Sequence, residues 1–237
     1  MSEEFDPRKF SAKPDRYTLF DVRTVTTMAM IVALAYAAMA VCKLFIPKIG
    51  GFLSLDIIDA VIGIGGFLFG PVAAVMMIVV EAFIEAITLS TTGWYGFVMN
   101  VLSTVLLICP AVIIYRHKGK TAGAVIGLCV GVVFRLLGMI VFNYIVTPMY
   151  FGMPRASVVE LMPMIALFNL VKGTLNAALL MILYPPVSKT LRKIGLVAPS
   201  KAQSGGEGSK FSYVPLIVSL LVLAGAVLVV LKMLKVI

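Results

Sequence analysis

The sequence predicts an all-α, polytopic membrane protein with six transmembrane helices and a seventh, C-terminal one. Two observations carry this reading. The 237 residues are 61% hydrophobic and 13% charged, with a mean hydropathy of +1.06, whereas soluble domains average about half apolar and about a quarter charged. The apolar residues also fall into separate runs, most of them long enough for a bilayer, which takes about 20 helical residues per crossing.

The runs are 24–45, 56–69, 71–89, 94–115, 121–146, 161–184 and 213–231. The second is short. It is separated from the third by Gly70-Pro71, because proline breaks a helix interior and the two runs together far exceed one crossing. Residues 1–23 form a polar N-terminal segment with no apolar core of a cleavable signal. Residues 24–193 form the six-helix membrane domain, 194–212 a linker with Ser204-Gly205-Gly206-Glu207-Gly208-Ser209 inside it, and 213–237 an accessory apolar helix.

Lys and Arg give the sidedness. Arg8, Lys9, Lys13, Arg16 and Arg23 precede the first run, Arg116, Lys118 and Lys120 follow the fourth, and Lys189, Arg192, Lys193, Lys201 and Lys210 follow the sixth. The alternate connections hold Lys43, Lys48 and Arg155. Positive charge stays inside, so the N-terminus is expected in the cytoplasm. Lys232 and Lys235 after the seventh run go mildly against that rule. The net charge of +9 therefore reads as orientation in a cell membrane, not as a nucleic-acid surface.

Several motifs fail on inspection. Gly119-Lys120-Thr121 lacks the earlier Gly of a phosphate-binding loop, since position 114 is Ile. Gly63-Ile64-Gly65-Gly66 lacks the last Gly of a dinucleotide fingerprint, since position 68 is Leu. Close helix packing is the expected use of these glycines and of the Gly123/Gly127/Gly131 ladder. Cys42, Cys109 and Cys129 stand singly, and His117 has no partner for metal or catalysis. Glu81 and Glu85, one helical turn apart, are the only basis for an intramembrane hydrolase. Arg135, near mid-membrane, is expected to pair with Glu81.

Polar residues inside apolar runs mark sites for polar substrates or ions. Asn169 and Lys172 lie about 12 and 16 Å into the sixth run at 1.5 Å per residue, and share a helix face. Asn100 lies about 9 Å into the fourth, Asn143 near the outer end of the fifth, and Glu85 near that of the third. Asp56 and Asp59 begin the second, where Ser54 and Asp56 are also good N-cap types. Asn100 and Asn176 equally suit bonds between neighbouring helices. Aromatic residues crowd the same end: Phe52, Trp94, Tyr95, Tyr144, Tyr150, Phe151 and Phe168. They suit an interfacial belt, with one or two free to sandwich a flat ligand.

Five stretches together resemble the substrate-binding S components of energy-coupling factor (ECF) vitamin transporters, in their riboflavin-specific branch. They are Gly51-Phe52-Leu53-Ser54-Leu55-Asp56 with Asp59, Phe69-Gly70-Pro71-Val72-Ala73, Gly96 with Asn100, Asn143-Tyr144 with Thr147-Pro148 and Tyr150, and Phe168-Asn169-Leu170-Val171-Lys172-Gly173. Ala29, Ala33 and Ala37 resemble the small-residue face on which such components dock to a coupling membrane subunit. The seventh run lies outside the family's usual pattern.

The resemblance implies a non-enzymatic subunit that captures one vitamin from outside and works with a coupling transmembrane subunit and two ATPases, toppling in the membrane as they act. It implies no cofactor; riboflavin would be the transported ligand. An Asn amide offers both donor and acceptor to the flavin edge and Lys donors only, so Asn143, Asn169 and Lys172 are expected to read that edge. Ser54, Asp56 and Glu85 would take the ribityl hydroxyls, Leu53 and Leu55 would press on the ring, and Asn100 completes the set. The alternatives are an S component for another vitamin and a self-contained, ion-coupled secondary transporter.

Overall fold

A computed structural model describes residues 19–118, 121–197 and 213–233. Residues 1–18, 119–120, 198–212 and 234–237 lie outside the described residues, and with them most of the N-terminal segment and linker expected from sequence and the end of the accessory segment. The described chain forms seven α-helices: α1 (Val22–Phe45), α2 (Ile58–Phe69), α3 (Pro71–Thr88), α4 (Gly93–Lys118), α5 (Thr121–Phe151), α6 (Arg155–Lys193) and α7 (Tyr213–Met233). Five of them, α1, α3, α4, α5 and α6, are long and apolar enough to cross a membrane. α2, at 12 residues, spans about 18 Å, short of a hydrocarbon core of about 30 Å.

α2 is the centre of the bundle. It packs on α1, α3, α4 and α6, and every residue from Ile58 to Phe67 is buried. A helix that is apolar all round needs such enclosure. It ends at Gly70, whose φ of 107° suits glycine, and a Cβ there would lie 2.2 Å from Arg116 Nη1. Pro71 then starts α3 with its φ already helical.

α4 and α5 run against each other at backbone distance. A Cβ on Gly127 would lie 2.7 Å from the Ala111 carbonyl oxygen, and one on Gly131 would lie 2.1 Å from that of Leu107. The glycine ladder therefore serves packing, as its spacing suggests.

α5 and α6 are longer than their apolar runs, at 31 and 39 residues. Pro148, Pro163, Pro185 and Pro186 lie inside these helices. A proline deletes one backbone bond but keeps a helical φ, so the helices continue beyond the apolar windows. α7 packs along α6.

Candidate ligand-binding site

The connection between α1 and α2, the turn between α3 and α4, and the end of α5 surround a cleft at one end of the bundle. Leu53, Ser54 and Asp56 line it from the connection, and Glu85 from α3. Asn100 and Ser103 line it from α4, Asn143 and Thr147 from α5, and Phe168, Asn169 and Lys172 from α6. Eight of the nine ligand-site residues named from sequence thus meet in one place. Leu55 does not. It is buried in an apolar cluster with Ile49, Phe168, Val171 and Leu175, which it reaches because the connection folds back on itself through paired Ile49 and Leu53.

Three ion pairs, two of them buried, hold the floor and walls. Lys172 Nζ donates to Asp56 Oδ2 at 2.7 Å and approaches the Ser54 carbonyl oxygen at 3.4 Å. Arg135 pairs with Asp59 through its Nη1, and Thr104 donates to the other Asp59 oxygen at 2.6 Å. Lys43 pairs with Glu85, whose second oxygen accepts from Asn100 Nδ2 at 2.7 Å. The pairing of Arg135 with Glu81 expected from sequence is therefore replaced by one with Asp59. Asp59 stands in the first turn of α2, the central helix, and its Oδ2 is the oxygen that Arg135 Nη1 meets. Glu81 is buried, and its Oε1 accepts no hydrogen bond among the described residues.

The asparagines are held by their own helices. Asn143 Nδ2 donates to the Met139 carbonyl at 2.7 Å and Asn143 Oδ1 accepts from Thr147 at 3.0 Å. Asn169 Nδ2 donates to the Ile165 carbonyl at 2.9 Å, and Arg135 Nε lies 3.5 Å from Asn169 Oδ1. Each amide carries two N–H donors and an oxygen with two lone pairs, so each keeps a donor and acceptor capacity for a ligand. Lys172 likewise has three donors and uses two.

Asn176 has a different task. Its Oδ1 accepts from Ala60 N at 2.9 Å, and its Nδ2 donates to the Asp56 carbonyl at 2.9 Å. A helix start leaves N–H groups unpaired, and α6 supplies the partner that α2 lacks in its own sequence. Asp56 contributes only a 3.4 Å approach to Ile58 N. Asn176 thus bonds a neighbouring helix, one of the two roles open to it from sequence.

Sequence reasoning missed Arg135 and Lys43 as lining residues. Arg135, Met139, Asn143 and Thr147 recur every fourth residue and all line the cleft. That stripe was available from the spacing once Asn143 was singled out.

Aromatic residues close the mouth. Phe52 meets Phe151 edge-on at 5.2 Å, Phe151 meets Tyr150 at 4.7 Å, and Tyr150 meets Tyr95 at 5.2 Å. Lys48 donates to Thr91 Oγ1 at 2.6 Å, bringing two connections together.

Elsewhere, Ala29, Ala33 and Ala37 are exposed on α1. Ala29 and Ala33 line an apolar groove with Val25, Met76 and Val80 between α1 and α3. Among the described residues, no group of three or more His, Cys, Asp and Glu is placed to hold a metal ion.

The chain is similar to known proteins. The chain is 25% identical over 179 residues to the riboflavin transporter RibU of Staphylococcus aureus (strain TCH60), covering 73% of this chain and 94% of that protein. A solved S component of a bacterial ECF transporter superposes with a TM-score of 0.60 at 26% identity, covering 71% of this chain and 96% of that one. The family model for the substrate-specific component of ECF transporters matches residues 23–184, well over half of the chain. The protein is therefore a multi-pass membrane protein of the ECF transporter substrate-specific component family, a transport subunit and not an enzyme.

Proposed function

We propose that this protein binds riboflavin in the cleft and hands it to an ECF module made of a coupling membrane subunit and two ATPases. The observation that carries the reading is the convergence of Asn143, Asn169 and Lys172 on one cleft with apolar and aromatic walls. Their spare donors and acceptors match a ring edge that alternates carbonyls with an N–H, and Leu53 and Phe168 offer apolar surface to the ring. Ser54, Asp56, Glu85 and Asn100 are placed for the ribityl hydroxyls. The similarity to the Staphylococcus aureus riboflavin transporter points the same way.

The charges favour an uncharged ligand. Lys43, Arg135 and Lys172 each carry a carboxylate partner. A neutral flavin enters without leaving a buried charge unpaired, a loss that is strongly destabilising. A cationic vitamin would meet Lys172 and Arg135.

Positive charge inside puts the N-terminus in the cytoplasm and the cleft at the outer face, where the vitamin arrives. The groove beside Ala29 and Ala33 is the docking face for the coupling subunit, because small side chains let helices approach where lipid removes the hydrophobic drive. The absorbance spectrum of detergent-purified protein tests the ligand. A flavin spectrum that persists through purification is expected; a colourless protein that retains another vitamin would replace riboflavin within the same family.

A further inference from the structure

α7 lies beyond residues 23–184, the region that the family model matches, yet it is seated on α6. Its seated face is Ser219, Leu223, Ala226 and Val230, spaced as one helical stripe. Ser219, Ala226 and Val230 are buried, whereas Leu221 is 69% and Leu228 57% exposed. Lipid is as apolar as leucine, so close fit must hold such a helix, and small residues such as Ser219 and Ala226 allow it.

What α7 is seated on matters more. Ala226 and Val230 belong to one buried cluster with Ile49 and Leu55 of the α1–α2 connection and with Phe168, Val171 and Leu175 of α6. Leu53 and Leu223 pack against that cluster. Phe168 and Leu53 also line the cleft, so the cluster has α7 on one side and the ligand site on the other. The connection's own backbone pairing is slight: Ile49 N donates to the Leu53 carbonyl at 2.9 Å and Leu53 N to that of Ile49 at 3.1 Å. Gly50 and Gly51 between them have φ of 61° and 83°.

We infer that α7 is a backing helix for the ligand site, holding the α1–α2 connection against Phe168 and so slowing the release of ligand. No described residue of α7 lines the cleft; the helix is a positioning element. The ligand half of this inference rests on the riboflavin reading, while the restraint on the connection does not.

Two measurements on the full chain test it: amide hydrogen exchange at Ile49 and Leu53 without ligand, and the riboflavin association and dissociation rates. Ala226→Leu wedges the seated face, Leu223→Ala thins it without a clash, and Leu221→Phe alters only the exposed side. In both seated-face variants, exchange at the two amides and riboflavin release are expected to rise by about tenfold, the equivalent of 1.4 kcal/mol. Association is expected to stay within about twofold, as holding contacts act mainly on the off-rate. Leu221→Phe is expected to match the parent.

Should Ala226→Leu fail to fold, Leu223→Ala gives the reading alone. Parent-like exchange in the seated-face variants overturns the inference, and so does faster exchange with unchanged release. A parent that binds no riboflavin overturns the ligand reading, and exchange then decides whether α7 restrains the connection.

Discussion

Lys172 Nζ lies 2.7 Å from Asp56 Oδ2, so the centre of α6 is tied to the residues that precede α2. Both side chains are nearly buried, at 8% and 5% exposure. Removing one partner of a buried pair costs about 3–5 kcal/mol, because it strands the other charge. Lys172→Met is therefore expected to lower the melting temperature, and adding Asp56→Asn is expected to recover most of the loss. Affinity separates from stability here. Loss of a charge-assisted bond to the flavin, about 1.5–3 kcal/mol, weakens binding by roughly tenfold to hundredfold, in the double variant as well. A stable double variant that binds like the parent would remove Lys172 from the ligand contacts.

Arg135 and Asp59 are each 1% exposed, and Thr104 completes the carboxylate's bonds. Arg135→Met is expected to destabilise the protein more than any other single cleft substitution. The Arg135→Met, Asp59→Asn pair is expected to be strongly non-additive in thermal melts, since each single change strands its partner. Additive losses would mean that the two groups do not depend on each other.

Asn176→Leu keeps volume on α6 but removes the partners of Ala60 N and the Asp56 carbonyl. Each buried group left unpaired costs about 1–3 kcal/mol. Thermal melting is expected at a lower temperature, and amide exchange at Ala60 is expected to quicken. Unchanged exchange there would show that the start of α2 finds another partner.

Ala33 is exposed and lines an apolar groove that shares no residue with the cleft. Ala33→Trp is expected to abolish uptake in cells that carry the ECF module while riboflavin affinity of the isolated protein stays unchanged. Normal uptake would move the docking face elsewhere.

The helices were legible because their apolar runs are long, and the break at Gly70-Pro71 because both residues constrain the backbone. Helix ends were not legible in α5 and α6. Prolines at 148, 163, 185 and 186 look like stops in sequence, but both helices run through them. The cleft was legible through polar residues placed where lipid would otherwise make them costly. Their pairing was not. Asp59 and Glu81 are both carboxylates in apolar runs, and their spacing from Arg135 in sequence does not say that Asp59 is the one it meets. Leu53 and Leu55 look equivalent two residues apart, but the folded connection sends one to the cleft and the other to the cluster beneath α7.

The central claim, that the cleft binds riboflavin, is tested most directly by titrating flavin-free, folded protein with riboflavin and following the quenching of flavin fluorescence. The account predicts saturable quenching that ends at one riboflavin per chain, weakened by Lys172→Met and by Asn169→Leu with non-additive losses in the pair. A flat titration with protein that still melts cooperatively would contradict it.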